Sequence, residues 1–208
     1  MKSNYLSLYE KNHVNKHDER LELFQVLSEE YSIKKVLYPG SYVHITPSFV
    51  FQEVIYNDMY KKLEAFYDSD EIFEYINHRK EYSEETYFKY INKNYTQSLP
   101  IEEESVDLLI SQYAGFISRA CRRYLKINGI LIVNNSHGDA SMASISDNYE
   151  FIAVIHKRNN KFTHSSKDLE KYFIPKKNIE ITEQYLDNHK RGIGYKKTAT
   201  DYVFRRVG

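Results

Sequence analysis

The chain of 208 residues has no tryptophan, one cysteine, four prolines and seven glycines, and it carries no net charge. Each scarcity excludes something. A single cysteine, Cys121, cannot form an intramolecular disulfide or supply a thiolate pair to a metal, which fits a reducing compartment. Lys plus Arg and Asp plus Glu both number 29, so the basic excess of a general nucleic-acid binder is missing, although a local basic patch stays open. No apolar run approaches membrane-span length, and Met1-Lys2-Ser3-Asn4-Tyr5 lacks an apolar secretion segment. The expectation is a soluble, cytoplasmic protein with no membrane partner. No metal spacing is found among the eight histidines: His13 and His17 are four apart with no third ligand nearby. With no internal repeat, low-complexity segment or linker, residues 1–208 read as a single domain.

What is present is organised around residues 34–58. Val36, Leu37 and Tyr38 form a short apolar, β-prone run that Pro39-Gly40 stops; a second run, Val54-Ile55-Tyr56, ends on Asn57-Asp58. Strand, tight turn, connector, strand and acid follow the order of the first half of a nucleotide-binding βαβ unit. Upstream, within a helical extension of residues 1–32, Leu21, Phe24, Leu27 and Tyr31 share one helical face, with Asp18 as the expected N-cap and fraying expected before Asn15. Downstream, residues 59–67 have helical periodicity, and residues 68–92 read as a helical insertion of two short helices, 71–78 and 83–91. A third strand is expected at 94–97.

Val106-Asp107-Leu108-Leu109-Ile110-Ser111 is the clearest strand, continuous rather than alternating, as expected when both faces are covered. Residues 113–125 look helical with Cys121 as a small core residue, Asn128-Gly129 ends that helix, and residues 130–135 form the next strand. The tail offers a strand at 149–156, a polar segment at 157–166, a short helix around 166–172, a basic loop at 189–197 and a last strand at 200–206.

This order resembles the class I S-adenosylmethionine-dependent methyltransferases. The resemblance runs from Ile33 to Ile155 and is carried best by Val106 to Ser111, Arg122-Arg123-Tyr124-Leu125-Lys126 and Asn128-Gly129-Ile130-Leu131-Ile132-Val133. It implies an α/β fold: a three-layer α/β/α sandwich with a mostly parallel seven-stranded Rossmann-like sheet. It further implies S-adenosylmethionine as cofactor, methyl transfer to an unidentified acceptor, and cofactor contacts from Tyr38, Pro39, Gly40, Ser41, Asp58, Thr96, Gln97, Ser111, Gln112 and Tyr113. The family's G-x-G-x-G is reduced here to Gly40, and no Asn-Pro-Pro-Tyr type motif follows the fourth strand. The alternative is a Rossmann-like binding module without that activity.

Asp58 suits a ribose-hydroxyl acceptor and equally a helix N-cap. Gly40 and Ser41 are candidates to present N–H groups to a cofactor carboxylate, or form a plain turn. His44 is a candidate general base or the maker of a local hydrogen bond. His137 and Asp139, two apart after a buried strand, are candidates for an acid/base pair near the acceptor, with Ser136 or Asp139 alternatively capping the next helix. The basic loop is read as a phosphate or RNA-backbone holder or as a solvated loop.

Overall fold

The computed structural model describes residues 4–159 and 161–208, and the chain divides into two compact units, Met1–Leu99 and Pro100–Gly208. The first unit runs α1 (Tyr5–Tyr9), a π-helical turn (Glu10–Val14), α2 (Leu21–Glu30), β1 (Lys35–Pro39), α3 (Pro47–Val50), β2 (Glu53–Asp58), α4 (Leu63–Tyr67), α5 (Asp70–Arg79) and β3 (Tyr87–Asn92). Its strands lie side by side in the order β3-β2-β1, both pairs parallel, with Tyr38 opposite Tyr56 and Tyr56 opposite Tyr90. Val36 and Leu37 in β1 and Val54, Ile55 and Tyr56 in β2 are fully buried, so consecutive residues pack on both faces.

The second unit runs β4 (Val106–Ser111), α6 (Ile117–Ala120), a 3₁₀ turn (Arg122–Tyr124), β5 (Leu125–Val133), α7 (Asp139–Ser144), β6 (Tyr149–Arg158) and β7 (Lys161–Ser165). A 3₁₀ turn (Leu169–Lys171), α8 (Glu183–His189) and β8 (Asp201–Arg206) complete it. Strand order is β4-β5-β8-β6-β7. Only β4 and β5 are parallel here; β8 runs antiparallel to β5 and β6, and β7 antiparallel to β6. The antiparallel course of β8 carries its first residue, Asp201, to the edge where β4 and β5 end. Val133, the last residue of β5, faces Tyr202.

The α/β reading holds, with a sheet content that differs from the expectation. The described residues form eight strands rather than seven, and antiparallel pairs are as frequent as parallel ones within the two units. The extra strand is β7, a hairpin partner of β6 in the segment read as polar connector. Residues 83–91 are not a helix. Tyr87–Asn92 is β3, because Phe88 and Tyr90, two apart, place their rings against Tyr67 at 6.4 and 4.9 Å. The strand expected at 94–97 is instead a turn after β3. The long helix expected at 113–125 is reduced to α6 and a 3₁₀ turn, and Asn128 lies inside β5 with φ of 65°. α2 is entered through Arg20 at φ 58° rather than capped by Asp18, whose carboxylate instead takes the Arg20 guanidinium at 2.9 Å.

Where fraying was expected before Asn15, the described residues are helical from Tyr5 to Val14. Tyr9 is fully buried and donates to Glu19 at 2.6 Å, and its hydroxyl lies 2.9 Å from the Thr46 hydroxyl. Burying one aromatic ring supplies about 2 kcal/mol, enough to hold a short helix that would be marginal alone. No helix among the described residues is long and apolar enough to cross a membrane.

Candidate functional site

In the first unit the candidate residues gather where β1 and β2 end. Gly40 turns the chain at φ 69°, and Tyr42 follows at φ 46°. The N–H groups of Gly40 and Ser41 both donate to the Asn57 carbonyl, at 2.7 and 3.3 Å. They are therefore turned towards β2. Asn57 is wholly buried and its Nδ2 donates to the Ile91 and Lys93 carbonyls at 2.8 and 2.7 Å, which pins the end of β2 to the end of β3. Tyr67 completes the lock: its hydroxyl donates to the Tyr42 carbonyl at 2.6 Å, while its ring stacks between Tyr56 and Tyr90 at 4.7 and 4.9 Å.

Asp58 stays half-exposed at the end of β2. Its Oδ1 accepts from the Met59 and Tyr60 N–H groups at 2.7 and 3.3 Å, and its Oδ2 from the Tyr42 N–H at 3.1 Å. A carboxylate has about four acceptor positions, so this side chain is oriented by three backbone donors and keeps capacity for a further hydroxyl. The exposed rings of Tyr42 and Tyr60, 6.5 Å apart, flank it. Neither tyrosine was nominated by sequence. The paired exposure of two aromatics around one acid appears only once the chain is folded.

His44 is not at the surface. It is 3 % exposed, with Nδ1 3.1 Å from the Tyr38 hydroxyl, Nε2 2.8 Å from the Glu19 carbonyl, and His13 stacked on its ring at 4.2 Å. Burial, and then the neighbouring His13, hold its pKa well below the ordinary 6.5. A neutral imidazole with both nitrogens engaged is a structural group, and the general-base reading of His44 is corrected accordingly. Tyr38 and Ser41 are likewise buried, and Pro39 closes β1. Thr96 is exposed and donates through N and Oγ1 to Asn94 Oδ1 at 3.0 and 2.9 Å; Gln97 sits beside it in the same turn.

In the second unit the candidates divide into two groups. Asp139 is 2 % exposed and turns inward: it accepts from the Ser111 and Ser118 hydroxyls, both at 2.5 Å, and from the Ser118 N–H at 3.0 Å. Burial pushes its carboxyl up to about 6 against the opposing pull of those donors. His137 is exposed and does not meet Asp139, so the expected acid/base pair is not formed. Neither Ser136 nor Asp139 caps α7; Gly138 enters the helix at φ 88° without a side-chain cap.

His137 belongs to a different chain of bonds, which begins at Asp201, 1 % exposed. Gln112 Nε2 donates to Asp201 Oδ1 at 2.7 Å, and Asn134 Nδ2 donates to Gln112 Oε1 at 2.9 Å. Asn134 Oδ1 in turn accepts from the Ser136 hydroxyl at 2.7 Å and its N–H at 3.1 Å. With its proton committed to Asn134, the Ser136 oxygen accepts from His137 Nδ1, 3.0 Å away. Followed outward from the Asp201 carboxylate, donors and acceptors alternate, so that the last bond calls for a proton on His137 Nδ1. Tyr113, at φ 61° and 58 % exposed, follows Gln112 on the same edge.

Asp201 was missed by the sequence reading. Its signal is a lone acid opening an apolar strand, which gains meaning only from the antiparallel course of β8. Among the described residues no group of three or more His, Cys, Asp or Glu side chains converges as a metal site.

No protein-family model matches the chain, and no curated protein matches it in sequence. Solved structures do. A methyltransferase from Geobacter sulfurreducens is similar over 99 % of this chain and 89 % of its own, at a TM-score of 0.52 and 9 % identity. An S-adenosylmethionine-dependent O-methyltransferase from Thermotoga maritima aligns over 89 % and 64 % (TM-score 0.48, 8 % identity). A tRNA methyltransferase from Aquifex aeolicus aligns over 89 % and 68 % (TM-score 0.47, 10 % identity). For three further structures the chain spans only 44, 54 and 61 % of the other protein's length. The chain therefore has a class I methyltransferase-like fold.

Proposed function

We propose that the chain binds S-adenosylmethionine and transfers its methyl group to an acceptor of its own. The observation that carries this reading is Asp58: a half-exposed carboxylate at the end of β2, held in one orientation by three backbone N–H groups and flanked by two exposed tyrosines. In this fold that position suits an acceptor for ribose hydroxyls, and the residues fit such a group there. The bound cofactor would supply an activated methyl on a sulfonium. The protein's own part is positional: within the first unit Asp58 orients the ribose end of the cofactor.

A second reading, a Rossmann-like module that does not use S-adenosylmethionine, is favoured by one observation. The Gly40 and Ser41 N–H groups donate to Asn57 and are not presented to a ligand carboxylate.

Calorimetric titration of S-adenosylmethionine and S-adenosylhomocysteine against the wild type and Asp58→Ala separates the two. The first reading expects micromolar binding that weakens roughly tenfold to a hundredfold in the variant, the size of a lost charge-assisted hydrogen bond pair. Absence of heat at millimolar ligand rejects it.

A further inference from the structure

The second unit holds a cavity of about 260 Å³ lined among others by Lys176, Lys177, Tyr185, His189, Ile193 and Gly194. One wall is a short antiparallel pairing: Pro175 bridges Tyr195, Lys176 N–H donates to the Gly194 carbonyl at 2.9 Å, and Lys196 N–H to the Ile174 carbonyl at 2.9 Å. This sets Lys176 and Lys177 next to each other on a fixed backbone. The other wall is α8, whose Tyr185 and His189 stack at 4.5 Å with the hydroxyl 3.3 Å from Nε2. Ile193 anchors the floor against Met142, Leu186 and Tyr195.

Charge is separated across α8. Its acids, Glu183 and Asp187, are engaged by Arg119 at 3.4 and 2.6 Å. Among the described residues Lys176, Lys177, Lys190 and Arg191 form no ion pair. Residues 189–197 contain four basic residues and no acid. In a chain without net charge, Lys176 and Lys177 thus bring two cations outside any ion pair to the lining of one concave site, which makes its local potential positive. Gly194 adds openness: a Cβ at that position would meet only the Lys176 Cδ, at 4.0 Å, so packing does not demand a glycine.

We propose that this cavity binds a small phosphate monoester, its dianion taken by Lys176 and Lys177 and its organic part lying against the Tyr185–His189 pair. Two ammonium groups on adjacent residues match a multiply charged oxyanion, and the volume leaves room for a sugar-sized group beyond it. The bounded cavity and the zero net charge favour a small ester over a polynucleotide backbone, which requires an extended basic track. The proposal does not depend on methyl transfer.

The test is an NMR amide titration of the whole chain with ribose 5-phosphate, with ribose and a short single-stranded RNA as parallel arms. Ribose 5-phosphate is expected to shift Lys176, Lys177, His189 and Gly194 saturably, with affinity falling as salt rises. A Lys176→Met/Lys177→Met double variant should weaken it roughly tenfold, while Lys61→Met, an exposed charge in the first unit, should leave it unchanged. All of the lysines replaced are exposed, so folding is not at stake; His189→Gln gives a second handle on the opposite wall. Equal shifts with ribose, insensitivity to the double variant, or binding of the RNA alone would each overturn the proposal.

Discussion

The ends of β1 and β2 in the first unit and the turn after β5 in the second carry the same materials: glycine, serine, a histidine and an acid close to the C-terminal ends of parallel strands. They use them in opposite ways. In the first, His44 is sealed beneath the N-terminal helix and the acid, Asp58, stays half-exposed. In the second, the acid Asp139 is sealed and the histidine, His137, stays outside at the end of a directed chain of hydrogen bonds. Position along a strand nominates a residue. Whether it faces a ligand is decided by what packs over it.

The largest expected effect breaks the buried half of that contrast. Asp139→Ala strands two serine hydroxyls and a backbone N–H, and should cost about 4 kcal/mol in urea unfolding. The carboxyl is raised from 3.8 to about 6, so the folded state holds its proton more tightly than the unfolded chain. Its contribution is present in full below pH 3.8 and falls as the pH rises through about 6, by roughly 3 kcal/mol. Asp139→Asn should abolish that slope. A slope unchanged in Asp139→Asn would assign it to another group.

His44→Ala comes next, at about 2 to 3 kcal/mol, for a lost ring and two broken hydrogen bonds. Its pH dependence has the reverse sense. The folded pKa lies below 6.5, so the unfolded chain binds the proton first; stability is full above 6.5 and lost as the pH falls below it. Proton-linked curves of opposite slope for the two histidine–acid regions would sharpen the comparison; parallel curves would break it.

Gly192→Ala should cost about 2 kcal/mol, because its Cβ would stand 2.0 Å from the Asn135 carbonyl oxygen. Gly194→Ala, with open space around it, should stay within roughly 0.5 kcal/mol, and thermal melts of the two read the difference directly. The smallest effect on stability, again within roughly 0.5 kcal/mol, is Ser136→Ala. It should nonetheless release His137 from its Nδ1–H tautomer, visible in the ring nitrogen shifts. An Nε2–H tautomer in the wild type would refute the directed chain.

Much of the framework was legible in the sequence. The apolar runs of β1, β2 and β4 are continuous because both faces are covered, and α2 and α5 carry clean helical spacing. The misreadings have local causes. Ser83-Glu84-Glu85 imitates a helix start, which hid the two-residue alternation of Phe88 and Tyr90. Asn128-Gly129 imitates a helix stop, yet it kinks a strand. The hairpin of β6 and β7 is polar on its outer positions and so reads as a connector. At the site, Asp58 could be nominated from its place after β2, whereas Asp201, Gln112 and Asn134 become partners only through strand pairing that spans residues 112 to 201.

The two glycines that let the β5 turn and residues 189–194 pass each other are reciprocal. A Cβ on Gly138 would approach the Arg191 carbonyl at 2.9 Å, just as one on Gly192 would strike Asn135. The Asn135 side chain also donates to the Ile193 carbonyl at 3.0 Å. The two segments are sterically coupled: a bulkier residue at either glycine requires the facing backbone to shift. Any remodelling of the basic cavity must therefore leave its mark on the turn that carries His137.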